Sequence, residues 1–204
     1  MNKYINEFDN RQHMNNETFE IFHYNNQLLE EIPIHNHDFF EIYIFIKGEA
    51  EFRIGSNIYK LKPNNIMLTG PQIFHQPFIG KNMPYERIII WINKSYIRQE
   101  LEQYLNKVIL LEPNIDQFSK IFSISKELIK SEKEKDFNYK IYSKSLLDLL
   151  LIEIIKCSLK NETFEKELDH NPLVSKTLSY IENHFTILEN IYYGTKIKTQ
   201  KYWY

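Results

Sequence analysis

The sequence predicts an α+β protein in which a small barrel or sandwich of short β-strands precedes a helical part. Up to about Asn93, short apolar segments alternate with turns rich in glycine, proline and asparagine, which is typical of antiparallel β-structure. From Ser95 onward, apolar residues recur with a period of about 3.6, as expected of helices. The change of period places the boundary between the two parts near residue 93.

Composition limits the classes of protein that the chain can represent. Its 204 residues are 43% hydrophobic, enough for one domain with a packed core, and the formal net charge of -2 gives no overall attraction to nucleic acid or anionic membranes. The single cysteine, Cys157, cannot form an internal disulfide, which favours a reducing compartment. Since no signal-peptide or membrane-span pattern is evident, we expect a soluble, cytoplasmic protein.

The strand region divides into an N-terminal arm at residues 1–17 and a barrel at residues 18–93. The arm is polar and unpatterned, so its order should depend on docking against another part of the protein. Residues 18–29 predict a strand, an Asn-Asn turn and a second strand. Further strands are predicted within residues 34–48, 49–55, 58–61, 66–70, 71–80 and 85–93. The last of these is apolar enough to be covered on both faces.

A helical region is predicted at residues 94–168. Its helices are expected at residues 95–106, with Ser95 as N-cap, at residues 114–130 and at residues 139–159. The third has an apolar arc too wide for a single contact, which leaves two explanations open: a central core helix, or a helix that meets its own copy in a dimer. Cys157 lies on that arc and is expected to be a buried, inert thiol.

The C-terminal part is the least patterned. A linker region is predicted at residues 169–186, and it contains a short helix with Pro172 at its first position. The tail at residues 187–204 mixes lysines with aromatic residues, a combination that can bind nucleic acid. Its few lysines make a small phosphate-neutralising patch, so we expect a loosely ordered or aberrant tail instead.

The stretch from Ile34 to Gly48 holds the candidate site. With the strand period of two, one face collects His35, His37, Glu41, Tyr43 and Phe45. Each histidine by itself is more often a hydrogen-bonded structural residue. Two imidazoles and a carboxylate that point the same way as large aromatic rings nevertheless make that face a candidate binding surface.

These residues carry a family resemblance. The spacing His35-x-His37-xxx-Glu41 is similar to the first signature of the cupin superfamily, and the stretch from Pro63 to His75 is similar to the second. The resemblance implies a small cupin barrel of the double-stranded β-helix or jelly-roll type, and a divalent metal (Zn, Ni, Fe or Mn) held by His35, His37, Glu41 and His75. The sequence departs from the pattern at Asn65, where a turn glycine is expected, and at Ile79, where an asparagine is expected.

A longer resemblance covers residues 18–186. The segments at residues 35–76, 87–97, 145–155 and 173–185 are similar, in this order, to the N-terminal effector-binding and dimerisation region of AraC/XylS-type transcription regulators. This resemblance implies a small-molecule effector inside the barrel, for example a sugar, and helices that pair two subunits. The family's helix-turn-helix units are not recognisable after Phe185, so the sequence predicts a truncated regulator that has lost direct DNA binding.

Two functions follow. The first is a non-enzymatic sensor in which a small molecule contacts His35, His37, Glu41, Tyr43, Phe45, His75 and Trp91. A solid apolar barrel without a ligand is the simpler alternative to it. The second function is a metal-dependent cupin isomerase or oxygenase that uses the same four metal ligands. No further acid–base pair stands out in the sequence, which favours the sensor.

Overall fold

The computed structural model describes residues 4–9, 11–26, 32–80, 84–106 and 108–160. In these ranges the strands are β1 Phe19–Asn26, β2 Phe40–Lys47, β3 Ala50–Ile54, β4 Asn57–Leu61, β5 Ile66–Thr69, β6 His75–Ile79, β7 Tyr85–Ile92 and β8 Ile109–Leu111. The helices are a short 3-10 helix at Lys94–Tyr96, α1 Gln99–Leu105, α2 Ile115–Glu134 and α3 Tyr139–Lys160. The helix and tail predicted at residues 169–186 and 187–204 lie outside the described residues.

The strands form two antiparallel sheets. One has five strands in the order β1-β7-β2-β5-β8, and the other has three in the order β4-β3-β6. An isolated bridge between His35 and His75 joins the segment before β2 to the first residue of β6. The prediction of an α+β fold with a cupin-type barrel followed by helices is confirmed.

The five-stranded sheet is covered on both faces. Alternate residues of β2 and β7, including Ile42 and Ile90, join Leu128, Leu150 and Ile154 of the helices in one buried apolar cluster. Each such side chain contributes about 1.5–3 kcal/mol to stability by leaving water. The opposite face of the sheet is turned to the barrel interior, and it is this second face that carries the candidate site.

Helices α2 and α3 lie close to their predicted positions, whereas the helix predicted at residues 95–106 is divided into the 3-10 helix Lys94–Tyr96 and α1 Gln99–Leu105. Asn114 caps α2 in a capping box with Gln117, which satisfies backbone groups at the helix start. Ser95 is not an N-cap, because the Asn93 side chain accepts from Ser95 N at 2.9 Å and takes that role. In the described part of the chain, no helix has the length and apolar character needed to cross a membrane.

Helix α3 uses its wide apolar arc in two ways. Leu147, Leu150 and Ile154 are fully buried in the cluster shared with α2 and the sheet. On other sides of the same helix, Leu149 and Ile152 are each 41% exposed. Cys157 is buried as predicted, and burial raises the pKa of its thiol. The helix is therefore a core element that also presents apolar residues at the surface of a single chain.

Two local predictions need correction. Asn25 and Asn26 do not form a turn, since they continue β1 and pair with Glu86 and Tyr85. Strand β8 lies within the region at residues 94–168 predicted to be helical, and it extends the five-stranded sheet beside β5. A strand of only three residues is too short to show a periodic pattern, so it could not be recognised from the sequence.

The N-terminal arm is docked along β1. Asn6 exchanges two hydrogen bonds with His23, one from its backbone N to the His23 carbonyl at 2.7 Å and one from His23 N to its side-chain oxygen at 2.9 Å. The Tyr4 hydroxyl donates to a Glu134 carboxylate oxygen at 2.7 Å. The arm thus gains its order from contacts with the barrel and α2.

Candidate functional site

Three histidines meet at one end of the barrel. Nitrogen atoms of His35, His37 and His75 all lie within 4.8 Å of one another. The backbones of His35 and His75 exchange hydrogen bonds of 3.0 and 2.9 Å, which fixes the two residues side by side. His37 and His75 are 4% and 0% exposed. Histidines from two separate segments of the sequence, one before β2 and one at the start of β6, are therefore brought together.

The hydrogen bonds of the three rings set their tautomers. The Nδ1 atoms of His35, His37 and His75 each lie 2.9 Å from a backbone carbonyl oxygen, those of Pro33, Phe39 and Ile73. A carbonyl oxygen only accepts, so each Nδ1 carries the proton and donates it, leaving the Nε2 lone pair available. Among the described residues, the buried Nε2 atoms of His37 and His75 have no hydrogen-bond partner.

Glu41 stands between two of these rings. Its Oε2 accepts from Trp91 Nε1 at 2.8 Å and lies 3.8 Å from His37 Nε2, while its Oε1 lies 3.7 Å from His75 Nε2. The two distances to histidine are too long for hydrogen bonds. Trp91 fixes the carboxylate, so its remaining acceptor capacity is directed toward the histidine cluster.

Burial keeps the imidazoles of His37 and His75 neutral. It lowers the pKa of His37 to about 4, with Glu41 acting in the opposite direction, and it lowers the pKa of His75 to about 4, assisted by His35. At neutral pH both rings are uncharged, which is the form that ligates a metal or accepts a hydrogen bond from a ligand.

The donor set fits a divalent metal. Neutral imidazole nitrogens and a carboxylate suit Zn, Ni, Fe or Mn, and carbonyl acceptors on Nδ1 are the usual outer support of metal-bound histidines. The buried lone pairs of His37 and His75 lack any other partner in the described ranges. His35, His37, Glu41 and His75 could thus hold such an ion.

A cavity of about 40 Å³ lies beside the cluster, between the two sheets. Its walls are aromatic and polar, and they are formed by Phe8, Asp9, Arg11, Gln12, Tyr24, Ile32, His35, Glu41, Tyr43, Phe52, His75, Pro77, Tyr85, Arg87, Ile89 and Trp91. The buried Tyr43 hydroxyl has no hydrogen-bond partner among the residues that the structure describes. This volume holds about one or two water molecules, so the barrel is nearly filled by its own side chains and the arm.

The predicted ligand-binding residues divide into two groups. His35, Glu41, Tyr43, His75 and Trp91 line the cavity. His37 is stacked on Phe39 with ring centroids 3.9 Å apart, and it belongs to the cluster without lining the cavity. Phe45 also does not line it and instead lies with its ring centroid 6.1 Å from that of Tyr85.

Sequence reasoning missed the far end of the cavity. Arg87 is 1% exposed there, and its Nη1 donates to the Asn26 side-chain oxygen and to the Tyr85 carbonyl. Arg87 lies four residues before Trp91 on the same strand, so the two side chains are on one face of the sheet, and Trp91 was predicted to face the barrel interior. This spacing was the signal in the sequence that could have identified Arg87.

The arm closes the mouth of the cavity. Arg11 lies over the rings of Phe22 and Trp91 at 5.3 and 5.1 Å, and it pairs with Glu20 at 2.6 Å and Asp9 at 3.1 Å. Arm and barrel are therefore held together by cation–π contacts and ion pairs around the opening.

The geometry defines a cupin-type barrel with a lined interior and a helical appendage. The AraC-like ligand binding domain matches residues 20–151 of the sequence, well over half of the chain, and the chain belongs to this family. No curated protein is significantly similar to it.

The chain is similar to several solved structures at low sequence identity. The AraC-like transcriptional activator CuxR is 8% identical, with 74% of this chain and 52% of that chain covered and a TM-score of 0.48. An RmlC-like cupin from Methanocaldococcus jannaschii is 20% identical, with 39% and 74% covered and a TM-score of 0.35. The DMSP lyase DddQ from Ruegeria pomeroyi is 20% identical, with 41% and 42% covered and a TM-score of 0.34.

Proposed function

We propose that the chain is the effector-sensing part of a cytoplasmic AraC-type transcription regulator and is not an enzyme. The observation that carries the proposal concerns three of the four buried polar atoms that have no partner in the described residues. These three, at or beside the cavity, are His37 Nε2, His75 Nε2 and the Tyr43 hydroxyl. Buried polar groups are normally satisfied, so polar atoms without a protein partner at a cavity are suited to bind a ligand.

Effector binding requires the arm to move. The present cavity of about 40 Å³ is far smaller than the usual pocket for an organic ligand, and four of its lining residues belong to the arm. A molecule that enters must displace arm side chains, and a docked and a displaced arm are two states whose populations the effector can shift. The arm is thus the element that reports effector occupancy to the rest of the regulator.

A divalent metal is a second component of the proposal. His35, His37, His75 and Glu41 would hold it, and its chemistry there would be to polarise or orient an oxygen atom of the effector. The same donors are the one observation that favours a metal-dependent isomerase or oxygenase as the alternative function.

The surface of α3 supports a homodimer. Leu149 and Ile152 are each 41% exposed, Ile141 is 67% exposed and Leu159 is 66% exposed. Large apolar residues gathered on one helix favour association with a second copy. We propose that α3 pairs two chains. The predicted loss of direct DNA binding concerns a part of the chain outside the described residues.

Ligand binding is tested by thermal shift of the full chain against a panel of small metabolites. We expect at least one compound to raise the Tm of the wild type and to have a weaker effect on Tyr43→Phe, which removes one unpaired hydroxyl. Tyr142→Phe, at a 48% exposed position on α3, is the matched control and should respond like the wild type. A Tm that no compound changes, or a shift that Tyr43→Phe leaves intact, would refute ligand binding at this cavity.

Metal binding is tested by calorimetric titration of chelator-treated protein with Zn²⁺, Ni²⁺, Fe²⁺ and Mn²⁺. His75→Gln should weaken binding of the preferred ion by about tenfold or more, whereas His13→Gln in the arm should not. Stoichiometric metal together with turnover of a substrate would favour the enzyme. Wild-type protein that binds none of these ions would remove the metal from the proposal and leave the sensor.

The dimer is tested by sedimentation of the double variant Leu149→Glu, Ile152→Glu. Charges on a buried apolar interface oppose association, so we expect a dimeric wild type and a monomeric variant. Ile58→Glu, at a 53% exposed position on β4, should remain dimeric. A monomeric wild type would refute the assignment of α3.

A further inference from the structure

Two arginines line the cavity, and they differ in their partners. Arg11 of the arm is neutralised by Glu20 and Asp9, at 2.6 and 3.1 Å. Arg87 of β7 is 1% exposed, and among the described residues no carboxylate forms an ion pair with it. A buried charge without an opposite charge is costly, so its retention in the barrel needs an explanation.

The contacts of Arg87 hold its guanidinium in place without neutralising it. Its carbon Cζ lies 5.2, 4.6 and 4.3 Å from the ring centroids of Phe8, Tyr24 and Tyr85. Its hydrogen bonds to Asn26 and Tyr85 both come from Nη1, and no described acceptor bonds to Nη2 or Nε. Burial lowers the pKa of Arg87 to about 10, so the group remains a cation at neutral pH.

We propose that Arg87 recognises an oxyanion of the effector, a carboxylate or a phosphate ester, at the end of the cavity remote from the histidines; this rests on the sensor function proposed above. The planar guanidinium fork matches both anions with two parallel hydrogen bonds. Arg87 and Trp91 are four residues apart on β7, which is about 13 Å along a strand. The effector is therefore an organic acid whose neutral, polar end faces Glu41 and the histidines.

The charges in the cavity fix this orientation. In the metal-free site, Glu41 lies beside the uncharged His37 and His75 and accepts from Trp91, so it would repel an anion at that end. Tyr85 lines the cavity together with both charged residues, and its ring centroid lies 4.3 Å from Arg87 Cζ. Phe8 of the arm contacts the guanidinium from the opening, so an anion that docks on Arg87 would also disturb the arm.

The test uses the full chain with benzoate and phenyl phosphate as anionic probes and with benzamide as a neutral probe of similar shape, at constant ionic strength. We expect at least one anion to raise the Tm of the wild type, and its Kd from calorimetry to weaken by about tenfold or more in Arg87→Met. Benzamide should have a much smaller effect. A response to benzoate alone identifies a carboxylate, and a response to phenyl phosphate alone identifies a phosphate ester.

Control variants separate recognition from folding. Arg53→Met removes an arginine whose side chain is 50% exposed on β3, and it should keep the wild-type response. Arg87→Met removes an unpaired buried charge, so its Tm without ligand should equal or exceed that of the wild type. If it does not fold, Arg87→Lys keeps the charge without the planar fork and should show weakened anion binding in its place.

Three outcomes would overturn the proposal: benzamide acts like benzoate, Arg87→Met or Arg87→Lys binds the anions like the wild type, or neither anion stabilises the wild type. D-ribose, as a neutral polyol, distinguishes this failure from failure of the sensor function. Stabilisation by ribose that depends on Tyr43, without any anion effect, would refute recognition by Arg87 and support the sensor.

Discussion

Both faces of β7 bury large side chains, but the chemistry of these side chains differs between the two faces. On the helix side, Ile88, Ile90 and Ile92 are each 0% exposed. On the cavity side, Tyr85 and Arg87 are each 1% exposed and Trp91 is 6% exposed. Alternate residues of one strand thus supply an aliphatic core and a polar, aromatic wall. Burial by itself therefore does not distinguish residues that stabilise the fold from residues that serve a site.

The energetic consequences of the two faces are opposite. An isoleucine packed against the helices contributes about 1.5–3 kcal/mol by leaving water. On the cavity side, Trp91 has its partner in Glu41, but the Nε2 atoms of His37 and His75 have none in the described ranges. A buried polar group without a partner costs about 1–3 kcal/mol. The helix face stabilises the barrel, and the cavity face lowers its stability until a ligand or metal satisfies it.

The largest expected effect is the loss of stability in acid. Burial lowers the pKa of His37 and of His75 to about 4 from an ordinary value of 6.5. Between these two values the unfolded chain binds protons that the folded chain does not, so the free energy of unfolding falls as the pH falls from 6.5 to 4. The loss should approach about 3 kcal/mol for each histidine, and stability should be independent of these groups above the upper value.

Urea denaturation of chelator-treated protein across this pH range measures the effect. The double variant His37→Gln, His75→Gln should show a shallower slope, whereas His13→Gln at an exposed arm position should keep the wild-type slope. Equal slopes in the wild type and the double variant would show that burial of these two histidines does not lower the free energy of unfolding in acid.

The next effect compares neighbouring residues on opposite faces of β7. Ile90→Ala leaves a cavity in the packed cluster with the helices and should lower the free energy of unfolding by about 3 kcal/mol. Ile89→Ala removes the same atoms from the cavity wall and should cost about 1 kcal/mol, since the side chain is only half-buried and borders an existing space. Urea midpoints compare the two directly, and equal losses would contradict the division into two faces.

Whether a residue of the site could be predicted depends on its position along the chain and on its residue type. His35, His37 and Glu41 lie in one short stretch with the period of a strand, so their common face was predictable, and the second motif added His75. Arg87 shares the parity of Trp91, but a charged residue near the start of an apolar strand suggests a solvated position. Tyr24 and Phe8 come from distant segments that only tertiary packing brings to the cavity.

The smallest effect concerns the arm that covers the cavity face. Phe8 makes an edge-to-face contact with Tyr24, with ring centroids 5.4 Å apart, and also contacts Arg87. Phe8→Ala should lower the free energy of unfolding by only about 1 kcal/mol, because aromatic and cation–π contacts of this kind are individually weak. It should nevertheless release the arm and speed tryptic cleavage after Arg11 several-fold. Phe137→Ala, at a position that is 93% exposed, should change neither quantity. Unchanged cleavage in Phe8→Ala would mean that the Asn6 and Arg11 contacts hold the arm, and that the cavity opens without help from this ring.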